Sequence, residues 1–174
     1  KPYALTGRVI SDNSEGNAAP NENMSVIIQD LTLAGRTVYL QSAEEGEAYG
    51  VKLIFDSEDA LSLKRYDLAT VSLKGRKLVR HTNPEHYTVT GLKAYDIVSA
   101  ASGSESDITH RTKTVKELTD SDINTLVTLS GCEIPVSKGA FVPIDNTRSS
   151  IINKYPMPLL DKAGSTIYLL TNTT

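Results

Sequence analysis

The sequence predicts an all-β protein: two OB-like β-barrel modules in tandem, each with a short helical turn, the second incomplete. Three observations carry this. Short runs of β-forming residues are punctuated by Gly, Asn, Asp and Ser clusters, one phrase is written twice far apart, and a Ser/Gly-rich connector falls past the midpoint. The first module is expected over residues 1–105 and the second over 106–174, with the second module's C-terminal strands missing. A chain of 174 residues suits one good core or two small ones.

In chain order, "YALTGRVI" from Tyr3 reads as a strand, and "SDNSEGNAAPNEN" after it as a long polar loop. "MSVIIQD" from Met24, "RTVYLQS" from Arg36 and "YGVKLIF" from Tyr49 are three more strands. In "DSEDALSLKRYD", Ser57, Glu58 and Asp59 offer a cap and first-turn acids, so a short helical turn is expected there. "LATVSLKGRKLVR" reads as one strand bent at Gly75, and "HYTVTGLKAYDIVSA" as one strand with a bulge or bend at Gly91. Five or six strands with one short helix is the content of an OB-like barrel. The Ser and Gly content from Ser99 to Ser106 marks the connector. Thr114 and Glu117 then have capping-box spacing, which predicts a helical turn, and "NTLVTLSGCEIPV" returns to strand-like alternation.

The repeated phrase is "DLTLAGRTVYLQS" at Asp30 to Ser42 and "DKAGSTIYLLT" at Asp161 to Thr171. Each follows a Leu-x-Gly strand (Gly7, Gly131) and a second strand that ends in Asp. Each places Ala-Gly in a turn before a Thr-x-Tyr-Leu strand, where Val38 or Ile167 and Leu40 or Leu169 alternate with Tyr39 or Tyr168. Nothing in the phrase requires catalysis; it marks the same turn and strand in two related modules. Only six residues follow Tyr168, so the sheet there is expected to keep an open edge, a surface for association.

Composition narrows the function. Net charge is −3, so no global field favours nucleic acid or an anionic membrane. One cysteine, Cys132, excludes an internal disulfide and a multi-thiolate metal site, and its strand position reads as a small core residue. The apolar runs fall far short of the roughly 20 residues that span a bilayer as a helix. The chain opens on Lys1, already close to a strand, as an excised or processed fragment would.

His81 and His86 flank "HTNPEH" and could join Glu85 as metal ligands, but a site needs three or four converging donors and a solvated turn explains them; no metal or cofactor is expected. Asp12, Asn13, Ser14 and Glu15 lack EF-hand spacing. No nucleophile, base and orienting acid stand in a recognisable pattern, so the protein is not expected to be an enzyme. Lys74, Arg76, Lys77 and Arg80 form the basic cluster that a single-stranded nucleic-acid-binding OB domain would use, yet the chain has no Trp and two Phe for base stacking. For glycan or peptide capture, Tyr66, Tyr87 and Tyr95 with Asn83, Asp67 and Asp96 supply an aromatic platform and polar partners.

"LTGRVISDNSEGN", "VIIQD", "GVKLIF", "YDLATVSLKGRKL" and "TVKELTDSDINTLVTLSGCEI" together resemble the tandem OB-like domains of unknown function found in surface lipoproteins of gut Bacteroidetes. The resemblance covers nearly the whole chain. It implies a non-catalytic extracellular binding or scaffolding module at the cell surface or outer membrane, with a glycan, a peptide or another surface protein as partner, and membrane attachment only through an upstream lipid anchor. A nucleic-acid-binding OB domain and an accessory domain of a surface hydrolase are the alternatives.

Overall fold

In a computed structural model the chain is described at residues 3–12, 33, 35–43, 48–57, 62–108, 110–135 and 154–172. It is predominantly β, with no long helix among the described residues. The chain divides into two compact units, the first within Lys1–Ala18, Leu31–Arg111 and Thr119–Val127, the second within Ala19–Asp30, Thr112–Leu118 and Thr128–Thr174.

The first unit holds β1 (Ala4–Val9), β2 (Thr37–Ser42), β3 (Gly50–Phe55), β4 (Leu68–Ser72), β5 (Lys77–His81), β6 (His86–Leu92) and β7 (Ile97–Ala101). They form one seven-stranded sheet in the order β5-β6-β3-β2-β1-β4-β7. Every pair is antiparallel except β3 and β6, which run parallel. Because side chains alternate along a strand, Val9, Val38, Leu40, Leu53, Phe55, Ala69, Val71 and Val89 project to one face, where they join Leu63 and Leu92 in one buried cluster. Leu92 reaches that face because β6 bulges: Val89 pairs with Leu53 and Leu92 with Phe55, so three steps oppose two, with Gly91 at φ +77°.

The sheet curls around this core. β4 and β5 are five strand spacings apart in the order, roughly 24 Å if the sheet were flat. Yet they are joined through residues 73–76, whose five peptide steps reach at most about 18 Å. Gly75, at φ +74°, makes the corner.

Two single-strand expectations are corrected. The single strand expected over "LATVSLKGRKLVR" is two strands, β4 and β5, and "HYTVTGLKAYDIVSA" is likewise two, β6 and β7, separated by a 3-10 turn at Ala94–Asp96. Among the described residues the hydrogen-bonded strands are not closed into a barrel: β7 occupies the free edge of β4, from Leu68 opposite Ala101 to Val71 opposite Ile97. β7 also takes part of the stretch read as a flexible connector. Gly103 beyond it packs so closely that a Cβ would lie 2.4 Å from the Tyr66 carbonyl oxygen. The Asp107 carboxylate accepts the Ser104 N–H at 2.8 Å in the next 3-10 turn.

After β8 (Arg111–Lys113) and β9 (Val127–Leu129), which pair with each other, the second unit contributes a three-stranded sheet in the order β10-β11-β12. Its strands are β10 (Cys132–Glu133), β11 (Lys154–Asp161) and β12 (Thr166–Asn172). Among the described residues this sheet is not closed into a barrel. The helical turn predicted at Thr114 is present as a 3-10 turn, Val115–Glu117, with the Glu117 carboxylate accepting the Thr114 N–H at 2.7 Å. The strand expected over "MSVIIQD" and the helical turn expected after Ser57 fall largely outside the described residues.

The repeated phrase is a strand in both places. In β2 it is a central strand between β1 and β3, with Thr37, Val38, Leu40 and Gln41 buried. In β12 it ends the described order of its sheet, and Tyr168 and Leu169 are 55% and 43% exposed. Asp161 closes the β11–β12 turn by accepting the N–H groups of Ala163 and Ser165 at 2.9 and 2.8 Å, the expected turn chemistry of Asp. The matching Asp30 lies outside the described residues.

Candidate ligand groove

Along β1 to β6 the inward-facing positions continue past the core to one end of the curled sheet. There Leu5, Val51 and Leu73 pack on the cluster yet stay partly open, and Leu40 lies beneath them. Together with Leu78 and Tyr87 they line a groove of about 340 Å³, whose polar edge is Thr6, Gln41 and Ser42. It is the uncovered end of the hydrophobic interior, within the size range of small-ligand and side-chain pockets.

The segment Thr119–Val127 borders this end. Asp122 organises it: one carboxylate oxygen accepts the Thr119 N–H at 2.8 Å and the other is paired with Arg111 at 2.8 Å. Arg111 also donates to the Thr125 hydroxyl. Two contacts fix the segment against the sheet. The buried Gln41 side-chain oxygen accepts the Leu126 N–H at 2.7 Å, and a Cβ on Gly50 would lie 2.0 Å from the Asn124 carbonyl oxygen. Gly50 is therefore required for close backbone approach, not for a special φ. Asp120 accepts the Glu85 N–H at 2.8 Å, which joins the segment to the β5–β6 hairpin.

A second groove of about 320 Å³ lies between this segment and the hairpin, lined by Glu85, His86, Asp120, Ser121 and Ile123. Tyr49, Gly50 and Tyr87 line both grooves, so the two adjoin. Within it the Tyr87 hydroxyl donates to Glu85 at 2.6 Å and Arg80 pairs with the same carboxylate at 2.8 Å. The Arg80 guanidinium, followed by the Tyr87 hydroxyl, holds the Glu85 carboxyl below its ordinary range. The hydrogen bond to that carboxylate pushes the Tyr87 phenol up.

Of the residues expected to bind ligand, only Tyr87 lines the grooves. Tyr66 sits at the opposite end of β1 from Leu5, at φ +76°, its N–H bonded to the Val9 carbonyl at 2.7 Å and its ring 4.8 Å below the Arg65 guanidinium. Asn83 is exposed at the tip of the β5–β6 hairpin. Tyr95 is 76% exposed, and its hydroxyl accepts from Arg76 at 3.1 Å. Asp67 and Asp96 are buried brackets that accept the N–H groups of Lys64 and Lys93. The structure therefore scatters the expected platform over three places and puts Tyr49 and Asp120, which the sequence did not single out, beside Tyr87.

The remaining candidates have structural partners. His81 and His86 stack with ring centroids 4.2 Å apart, one nitrogen of each engaged by the Thr88 hydroxyl and the Pro84 carbonyl. No three His, Cys, Asp or Glu side chains gather as a metal site among the described residues. In the basic cluster, Arg76 is paired with Asp96 at 2.7 Å and Arg80 with Glu85 at 2.8 Å, which leaves Lys74 and Lys77 as its exposed, unneutralised charges. Cys132 is half-buried in β10.

No family model, characterised protein or solved structure was found to match the chain.

Proposed function

We propose that the first unit is an OB-like, non-catalytic binding module whose ligand seats in the groove at the open end of its core. The OB-like reading is supported by the parallel β3–β6 pair and by the short link between β4 and β5, which brings distant strands of the order together. The binding reading is carried by one observation: Leu5, Val51, Leu73 and Leu78 stay accessible at the end of an otherwise buried interior. Partly open apolar side chains rimmed by a few polar groups suit a partner's apolar side chain better than the flat face of a sugar. Among glycan, peptide and surface-protein partners, a segment of peptide or protein is therefore the ligand proposed. Placement at the cell surface, through a lipid anchor outside this chain, is proposed on the resemblance of the motifs quoted above.

The test is selection of displayed random peptides on the intact protein, with Leu78→Glu as the counter-target. Leu78 is 60% exposed, so the substitution leaves the core intact. Peptides that carry a leucine, isoleucine, phenylalanine or methionine and lose binding to the variant support the proposal. Peptides that bind both proteins equally, or selection that yields none, contradict it.

A further inference from the structure

The adjoining linings of the two grooves specify the ligand more narrowly. Tyr49, Gly50 and Tyr87 form a common floor and wall, with apolar side chains on one side and Glu85 and Asp120 on the other. Among the described residues two carboxylates and no Lys or Arg line the grooves. Glu85 is already engaged by Arg80 and Tyr87, and Arg80 offsets part of its field. Asp120 differs: it is exposed, and among the described residues its carboxylate accepts one hydrogen bond, from the Glu85 N–H, through a single oxygen.

We infer that the occupant is an extended peptide segment that places an apolar side chain in the groove at the end of the core and a lysine or arginine side chain beside Asp120. This rests on the binding reading above and adds the charge requirement. Successive residues of an extended chain advance about 3.3–3.6 Å, and alternate ones face the same side. The apolar and basic residues therefore stand an even number of positions apart, and a spacing of two is the shortest.

The test uses four fluorescein-labelled heptapeptides in a Gly-Ser background, with leucine and arginine, leucine and glutamine, leucine and glutamate, or alanine and arginine two positions apart. Affinity is read by anisotropy at low and at high salt. The leucine-arginine peptide is expected to bind about fivefold more tightly than leucine-glutamine, the scale of one exposed ion pair, with leucine-glutamate weakest. The advantage should vanish in Asp120→Asn, whose side-chain oxygen still accepts the Glu85 N–H, and shrink in high salt. Equal binding of leucine-arginine and leucine-glutamine would overturn the charge requirement while leaving the apolar groove standing. Equal binding of alanine-arginine and leucine-arginine would overturn the groove itself, and no binding by any of the four would overturn both.

Discussion

Replacing Gly50 by alanine is the smallest change that separates the Thr119–Val127 segment from the sheet. The added Cβ would stand 2.0 Å from the Asn124 carbonyl oxygen, 2.3 Å from its carbonyl carbon and 2.7 Å from the Ile123 oxygen. All three are backbone atoms, so no rotamer change relieves the clash. Overpacking of this kind costs about 1–3 kcal/mol, and losing the hydrogen bond from Leu126 to Gln41 adds about 1 kcal/mol. The reduced freedom of the unfolded chain returns about 0.4–1 kcal/mol. The net expectation is a loss of about 2 kcal/mol, or roughly 6 °C in Tm for a chain of this size. Urea denaturation measures the loss, and amide exchange at Leu126 locates it. Gly75→Ala is the comparison: no atom lies within 4 Å of its Cβ, so its cost of about 1–2 kcal/mol is backbone strain from φ +74° and should leave Leu126 protected. A Gly50→Ala protein within about 0.5 kcal/mol of the parent, with Leu126 exchange unchanged, would refute the close approach.

Asp122→Ala removes the acceptor of Thr119 and the partner of the half-buried Arg111, and should cost about 3 kcal/mol by thermal or urea unfolding; a loss below about 1 kcal/mol would contradict its organising role. Asp161→Ala removes the acceptor of two turn N–H groups and should speed exchange at Ala163 and Ser165 while lowering stability by about 1–2 kcal/mol; unchanged exchange there would sink the assignment. Stability should also form a plateau in pH. The carboxyls of Glu85, Asp56, Glu117 and Asp107 are held below their ordinary values by Arg80, Lys93, Thr114 and Ser104, so their contribution is present above about pH 4.5 and lost as pH falls through the depressed folded values. Tyr87 and Lys93 are raised by Glu85 and Asp56, so theirs is present below about pH 10 and lost as pH rises further. Urea midpoints measured from pH 3 to 11 should fall at both ends, and a midpoint that rises on acidification would contradict the pairings.

The strands with one buried face were legible because that face writes an alternating pattern. Val38 and Leu40, Leu53 and Phe55, and Ala69 and Val71 announce β2, β3 and β4. The bulge at Gly91 was legible from one glycine, and the turn at Thr114 from the capping-box spacing of Thr114 and Glu117. β7 was not separable from β6: Val98, Ser99, Ala100 and Ala101 are all exposed, so the strand has no core face to impose alternation, and its small residues read as a connector. The groove was not legible because its parts come from distant places. Tyr49 and Asp120 meet only after β3 pairs with β6 and the Thr119–Val127 segment returns. Tyr66 and Tyr95 looked like binding aromatics because the residue type does not disclose that Arg65 and Arg76 already lie against them.

Backbone amide shifts, recorded while the leucine-arginine heptapeptide is titrated into the 15N-labelled protein, test the binding claim most directly. The account predicts saturable shifts that converge on Leu5, Gln41, Tyr49, Val51, Leu78, Tyr87 and Asp120, with Tyr66 and Tyr95 undisturbed. Shifts centred on Lys74 and Lys77 with the groove silent, or no saturable shift at all, would contradict it.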